Sequence, residues 1–436
     1  MRTTLQSPRQ QSAFSNKRVL LVPLSILLLC FWSWEGFKGV SAKPAKSTLQ
    51  IQKSKKPLSK NDFIVHEWGT FTSVQDTQGK TLVGLHHEEE KLPSFVHHIG
   101  VRGKSKGMPR VPMGVTQKLE TPVLYFYTKK AQRVNVKVDF PNGVISEWYP
   151  NAIQMKPKSR NIRGGQVLPS NGLIEWDVML RPGPARFPKV APHSVWLPSR
   201  QVPAATSVHL LKNGKVVESE RFIFYRGLGR FNGKIRTRNL KDEAIEIHNP
   251  TAQRVPQAFI LRVTNKGAAF QKVGPIPARS KRKVKIPGTL LPMKNYLQKV
   301  STAFVDAIVK TGLYKDEAWA MANTWKTSYF QKPGLRILYV VPSLWTDQLL
   351  PIRISPKPTS LVRTLVGRIE VLTHVEEHDI VRFVHKAYKL RGKVSLKPYR
   401  TRFWEPLLWR GLALTRDRQV RRFIMWNLLR KAMAMP

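Results

Sequence analysis

The chain has 436 residues, enough for two or three domains with a core each, and its 42% hydrophobic content excludes a disordered polymer. Lysine and arginine number 74 against 27 aspartates and glutamates, a formal net charge of +47 that calls for anionic neighbours: nucleic acid, a phosphate-rich polymer or acidic lipid. The single cysteine, Cys30, excludes a disulfide framework and a Cys-ligated zinc site.

Arg2, Arg9, Lys17 and Arg18 precede the apolar run VLLVPLSILLLCFWSW (19–34), and no acidic residue occurs before Glu35. A basic flank leading into such a run is the pattern of an export signal. Val40-Ser41-Ala42 supplies a small-x-small cleavage site, so residues 1–42 are expected to be a signal peptide cleaved near Ala42, or an N-terminal membrane anchor if the run is retained. Either outcome places the rest of the chain outside the cytoplasm, in the periplasm or cell envelope. Nucleic acid then becomes an unlikely partner, and an anionic envelope polymer or membrane headgroups remain. Residues 43–60, KPAKSTLQIQKSKKPLSK, carry lysines and prolines without an acid and read as a basic linker.

From Asn61 the pattern is that of strands. FIVHEWGTFTSV, the turn residues DTQGK and then TLVGL read as a hairpin. ETPVLYFYT, RVNVKVDF and VISEWYP follow, with Asn142-Gly143 as a tight-turn signal between the last two. LIEWDVMLR, SVHLLKNGKVVESERFIFY with a turn at Asn213-Gly214, AIEIHN, AFILRVTN and RKVKIP continue to about residue 287. Such spacing predicts antiparallel β-sandwich-like domains, a first over 61–228 and a smaller second over 229–287, divided in the glycine-interrupted RGLGRFNGK (226–234).

Beyond Pro287 the period changes. Leu297, Val300, Phe304 and Ile308, and then Ala318, Met321, Trp325 and Phe330, recur at helical spacing. LRILYVVP, LLPIRISP and LVRTLVGRIEVLT return to strands, and the last sixty residues are helical, with FWEPLLWRGLAL and RRFIMWNLLRKAM as a helical hairpin. The fold class is therefore α+β, ending in a mixed, helix-rich C-terminal region over 288–436.

FIVHEWGTFTSV, LPSFVHH, LETPVLYFYT, GVISEWYP, GLYKDEAWAMANTWKTSYF, GLRILYVVP and VGRIEVLT, in that order, resemble an uncharacterised family of exported bacterial proteins marked by a V-H-E-W-G-T-F-T segment. The resemblance spans roughly residues 63–373. It implies location and architecture and brings no catalytic residue.

The residues offer several candidate sites. His66, His86, His87, His97 and His98 fall within one short segment with Glu88, Glu89 and Glu90 interposed, a set suited to a divalent metal, with Glu67 or Glu88 as the catalytic carboxylate of a metal-dependent hydrolase. Strand alternation argues against one part of this, because His66 and Glu67 would face opposite ways unless a bulge at Gly69 re-aims them. His374, Glu377 and His378 match H-x-x-E-H, the inverted zinc-peptidase pattern, against which stands an ordinary amphipathic helix flank. Glu67-Trp68, Glu147-Trp148 and Glu175-Trp176 read as buried indoles backed by solvent-facing carboxylates, or as a sugar-binding platform. Nucleotide loops and the G-x-S-x-G elbow are missing, and no cofactor beyond such a metal is implied. Arg279, Lys281, Arg282, Lys283 and Lys285, with Arg421 and Arg422 near the C-terminus, are the candidate contacts to an anionic surface. Binding or structural work at such a surface is the leading expectation, with the hydrolase as the alternative.

Overall fold

A computed structural model describes residues 58–85, 90–99, 114–157, 171–395 and 403–433. The expected leader and most of the linker lie outside these residues. FIVHEWGTFTSVQ forms β1 (Phe63–Gln75), buried along nearly its whole length. Both of its edges are occupied, by β3 (Gln117–Thr128) antiparallel and by β18 (Ser360–Val371) parallel. This accounts for the missing hairpin: with both edges taken, TLVGL has nowhere to pair, and only an isolated bridge joins Gln75 to Thr81.

Around this centre runs a mixed sheet of nine described strands. Its order is β14 (Gly267–Ile276), β13 (Val255–Thr264), β16 (Gly334–Val340), β18, β1, β3, β10 (Ile223–Gly229), β5 (Gly143–Tyr149) and β2 (His97–His98). A second sheet orders β17 (Ile352–Ser355), β4 (Gln132–Phe140), β7 (Gly172–Arg181), β8 (Ser207–Lys212) and β9 (Lys215–Glu220), with β6 (Gln154–Lys156) also on β7. A third joins β11 (Arg236–Leu240), β12 (Ala244–Asn249) and β15 (Ser280–Lys285). The protein is thus mixed α+β, with antiparallel sheets and one mixed sheet.

The large sheet is covered on both faces. Val65, Phe126, Ile223 and Ile337 of one face share a core with Val136, Trp176 and Val208 of the second sheet and Ile245, Ile247 and Val284 of the third. On the other face, Trp68, Tyr125 and Val366 pack against Val300, Phe304 and Ile308 of α2 (Met293–Val309) and Ala318 and Met321 of α3 (Lys315–Thr324). Trp325 and Phe330, just beyond α3 and in a π-helical turn (Lys326–Gln331), complete that layer. A third, separate core belongs to α5 (His374–Lys389), α6 (Trp404–Leu414), α7 (Arg418–Phe423), a second π turn (Ile424–Leu429) and α8 (Arg430–Met433). No described helix is long and apolar enough to cross a membrane.

Three turn and boundary expectations have different outcomes. Asn213 and Gly214, both at positive φ, close the β8–β9 hairpin as expected. Asn142-Gly143 instead marks a corner, because β4 lies in the second sheet and β5 in the first. RGLGRFNGK is not a boundary: Arg226 to Gly229 form the buried end of β10. A Cβ on Gly227 would lie 2.7 Å from the Val144 carbonyl and 3.0 Å from the Phe140 ring, so this glycine serves a close approach. Nor does the large sheet respect the divisions at 228/229 and 287/288, since it takes strands from all three expected regions.

Candidate functional site

His66 and Glu67 face opposite layers, as strand alternation requires. On the helix side, His66 Nδ1 lies 2.8 Å from Glu317 Oε2 of α3, and Tyr127 donates its hydroxyl to Glu317 Oε1 at 2.6 Å. The backbone N–H of Tyr314 donates to the same carboxylate, closing the α3 capping box. On the opposite side, Glu67 is fully buried, accepting from Tyr225 Oη and, at 2.6 Å, from Arg363 Nε of β18. Burial works against the Arg363 charge; the Glu67 carboxylate outweighs it and holds the guanidinium protonated. Burial first, then the Glu67 charge, raises the Tyr225 phenol well above its ordinary value. The expected bulge exists but lies across from Gly69, in β3: Thr121, at positive φ, and Pro122 interrupt the register there. It leaves the alternation of β1 intact.

The other histidines disperse. His97 Nε2 lies 2.7 Å from Glu218 Oε1 of β9, and its ring stacks on Trp148 and Tyr149. His98 is exposed, opposite Glu147 in register. β2 lies four strands from β1, about 19 Å across the sheet, so His97 and His98 cannot share an ion with His66. His86, His87 and Glu88 lie outside the described residues. Among the described residues no group of three His, Cys, Asp or Glu could hold a metal.

The H-x-x-E-H segment does begin a helix, capped by Thr373 and Glu376, but its parts separate. His374 Nε2 bonds the Asn239 carbonyl and His378 is exposed. Glu377 accepts from Thr77 N and Oγ1 and from Arg410, tying α5 and α6 to the turn after β1. Burial alone would raise its carboxyl; the Arg410 and Thr77 donors outweigh burial and hold it below the usual range. The three Glu-Trp pairs place each indole in a core, while Glu147 pairs with Arg226, and Glu175 with Lys137. Glu67 departs from the solvent-facing expectation because Arg363 and Tyr225 satisfy it internally.

A row of charges on the helix face of the large sheet was not among the expected sites. In register across neighbouring strands stand Arg336, Glu370 with Arg368, Thr72, Lys118 with Glu120, Arg226 and Glu147. Arg336 and Arg368 donate to carbonyls of the first π turn, and Arg368 lies 4.1 Å from the Tyr329 ring centroid. Glu120 accepts from Thr72 and Tyr329. A cleft lined by Glu120, Arg226, Trp325 and Tyr329 opens beside the row, with room for about one water. These groups satisfy one another and the irregular turn above them. The readable signal was Arg368 and Glu370 alternating with Ile369 and Val371 inside a buried strand.

The exposed counterpart is the outer face of the third sheet. Arg236, His248 and Lys281 align across β11, β12 and β15, followed by Arg238, Glu246 and Lys283, and then Lys285. The five cations are exposed, and Glu246 is the single carboxylate in their midst. Thr237, Ile245, Ile247 and Val284 point the other way into the core, so the alternation that buries one face builds a flat basic surface on the other. Arg282 donates to the Pro275 carbonyl, and Arg279 is exposed at the turn before β15. Arg421 donates to the Leu412 and Thr415 carbonyls at the end of α6, while Arg422 is exposed.

No family model and no curated protein matches the sequence. Among solved structures the chain has a low similarity to the yeast delta-COP-I mu-homology domain, with 7% identity, 73% of this chain and 98% of that chain covered, and a TM-score of 0.25. The same domain complexed with a Dsl1 WxWxV peptide gives 5% identity, coverage of 72% and 98%, and a TM-score of 0.24. A beta-glucuronidase from glycoside hydrolase family 2 gives 11% identity, coverage of 57% and 24%, and a TM-score of 0.11. Likenesses of this size carry no argument about function.

Proposed function

We propose that this is an exported protein of the cell envelope that binds an anionic envelope polymer through the outer face of β11, β12 and β15. The carrying observation is the alignment of Arg236, Arg238, Lys281, Lys283 and Lys285 on one exposed face with a single interposed carboxylate. The cations of β11 and β15 stand about 10 Å apart across the intervening β12 and about 7 Å apart along each strand, so several anionic groups of one polymer can be met together. The β-sandwich-like body holds that face rigid. Export rests on the basic flank and apolar run of residues 1–42, and fusing them to a reporter active only outside the cytoplasm tests it.

The binding test uses inorganic polyphosphate. Replacing Lys281, Lys283 and Lys285 together with glutamate should lower affinity at least tenfold and flatten its dependence on salt, since each lost ion pair removes counterion release. Lys212→Glu with Lys215→Glu, at the exposed β8–β9 turn, should have a much smaller effect. Equal losses in the two variants would mean that diffuse charge alone acts, and the proposal fails. The metal-dependent hydrolase depends on His86, His87 and Glu88, and no observation among the described residues favours it.

A further inference from the structure

The C-terminal helical stretch Arg418–Met433 uses only one side for its own core. Val420, Ile424, Leu428, Leu429 and Ala432 are buried against α5 and α6. The second π turn widens the helix, so Leu428 and Leu429 both face inward while Met425 and Trp426 share the outside. Trp426 is 67% exposed, more than any other large hydrophobic side chain described, and Met425 is 42% exposed. Arg418, Arg422, Arg430 and Lys431 are exposed along the same stretch, and Asp417 is spent on capping α7.

We infer that this face rests on the surface of a lipid bilayer carrying anionic headgroups, with Trp426 in the interface and the flanking cations over the phosphates. Charge complementarity selects that occupant. An indole surrounded by cations suits the headgroup level, where its ring is buried and its N–H stays among polar groups. Two apolar side chains fall far short of the roughly 800 Å² per partner that a stable protein interface buries. The inference goes beyond polymer binding and does not depend on the third sheet.

The test uses the full chain carrying Cys30→Ser, with Trp426→Cys labelled by an environment-sensitive fluorophore and Val217→Cys, on the exposed edge of β9, as the control site. With vesicles of phosphatidylglycerol and phosphatidylcholine, the label at 426 should shift to the blue and be quenched by lipids bearing a quencher near the headgroup. The label at 217 should not respond, and Arg422→Glu with Arg430→Glu should diminish the shift at 426. A label at 426 that reports water while the chain floats with the vesicles overturns the inference. So does an equal shift on pure phosphatidylcholine. The Lys281, Lys283 and Lys285 variant separates the two readings, because it should lose polyphosphate and keep the shift at 426.

Discussion

His66 of the first strand and Glu317 of α3 are joined at 2.8 Å although 251 positions separate them in the chain. The pair pins the helical layer to the centre of the large sheet, and Glu317 is completely buried. Replacing His66 with alanine leaves that carboxylate with the Tyr127 hydroxyl and the Tyr314 N–H as donors, and a stability loss of about 1–3 kcal/mol is expected in urea unfolding. A double-mutant cycle with Glu317→Gln should return a coupling of about 0.5–3 kcal/mol. Additive losses would show that the contact is energetically silent.

Trp68 is fully buried beneath the same layer, with the Trp325 ring edge-on at 5.5 Å. Trp68→Ala should destabilise by about 3–5 kcal/mol, the cost of removing a large aromatic from a packed core. Thermal unfolding of the purified variant measures this, and an unchanged midpoint would mean that the site collapses around the smaller side chain.

On the opposite face, Arg363→Met strands the buried Glu67 carboxylate with only Tyr225 as its remaining charge-facing donor. The expected loss is about 3–5 kcal/mol, whereas Glu67→Leu combined with Arg363→Met should recover much of it, because two apolar groups leave no buried charge behind. A double variant as unstable as the single one would contradict this.

Glu405 of α6 is buried against Gly84, and its carboxyl is pushed up from 4.5 to about 7 by burial, with the Trp409 N–H opposing in part. An acid that holds its proton more tightly when folded supports the fold below its unfolded value and loses that support as pH rises. The window is therefore pH 4.5 to 7, with a total of roughly 3 kcal/mol. Glu405→Gln, neutral throughout, should match the native protein near pH 4 and exceed its melting temperature progressively up to pH 8. A difference that does not change with pH would place this carboxyl in water.

The segments that form strands and helices could be read largely from local period, because alternation and helical spacing are properties of a few neighbouring residues. Val300, Phe304, Ile308 and Met321 meet the core as their spacing predicts. Partners could not be read. Asn142-Gly143 has the same turn chemistry as Asn213-Gly214, yet one turns a corner between sheets and the other closes a hairpin, since a turn fixes chain reversal and not which strands then pair. The histidine-rich segment misled through sequence proximity: His66 and His97 are 31 positions apart and find different acids on different faces. The basic face was half legible, in Lys281, Lys283 and Lys285; Arg236 and Arg238 join it only through the register of β11 on β12.

The parallel pairing of β1 with β18 has a consequence for how the chain comes to be folded. Glu67 meets Arg363 across 296 positions, so a polypeptide released from its N-terminus cannot close the middle of its main sheet until residue 371 has emerged. Until then one edge of a strand that is buried along nearly its whole length in the finished fold stays unpaired, and contacts of such long range form slowly. The same open edge, left free until the C-terminal half arrives, is a template for wrong strand pairing during that interval.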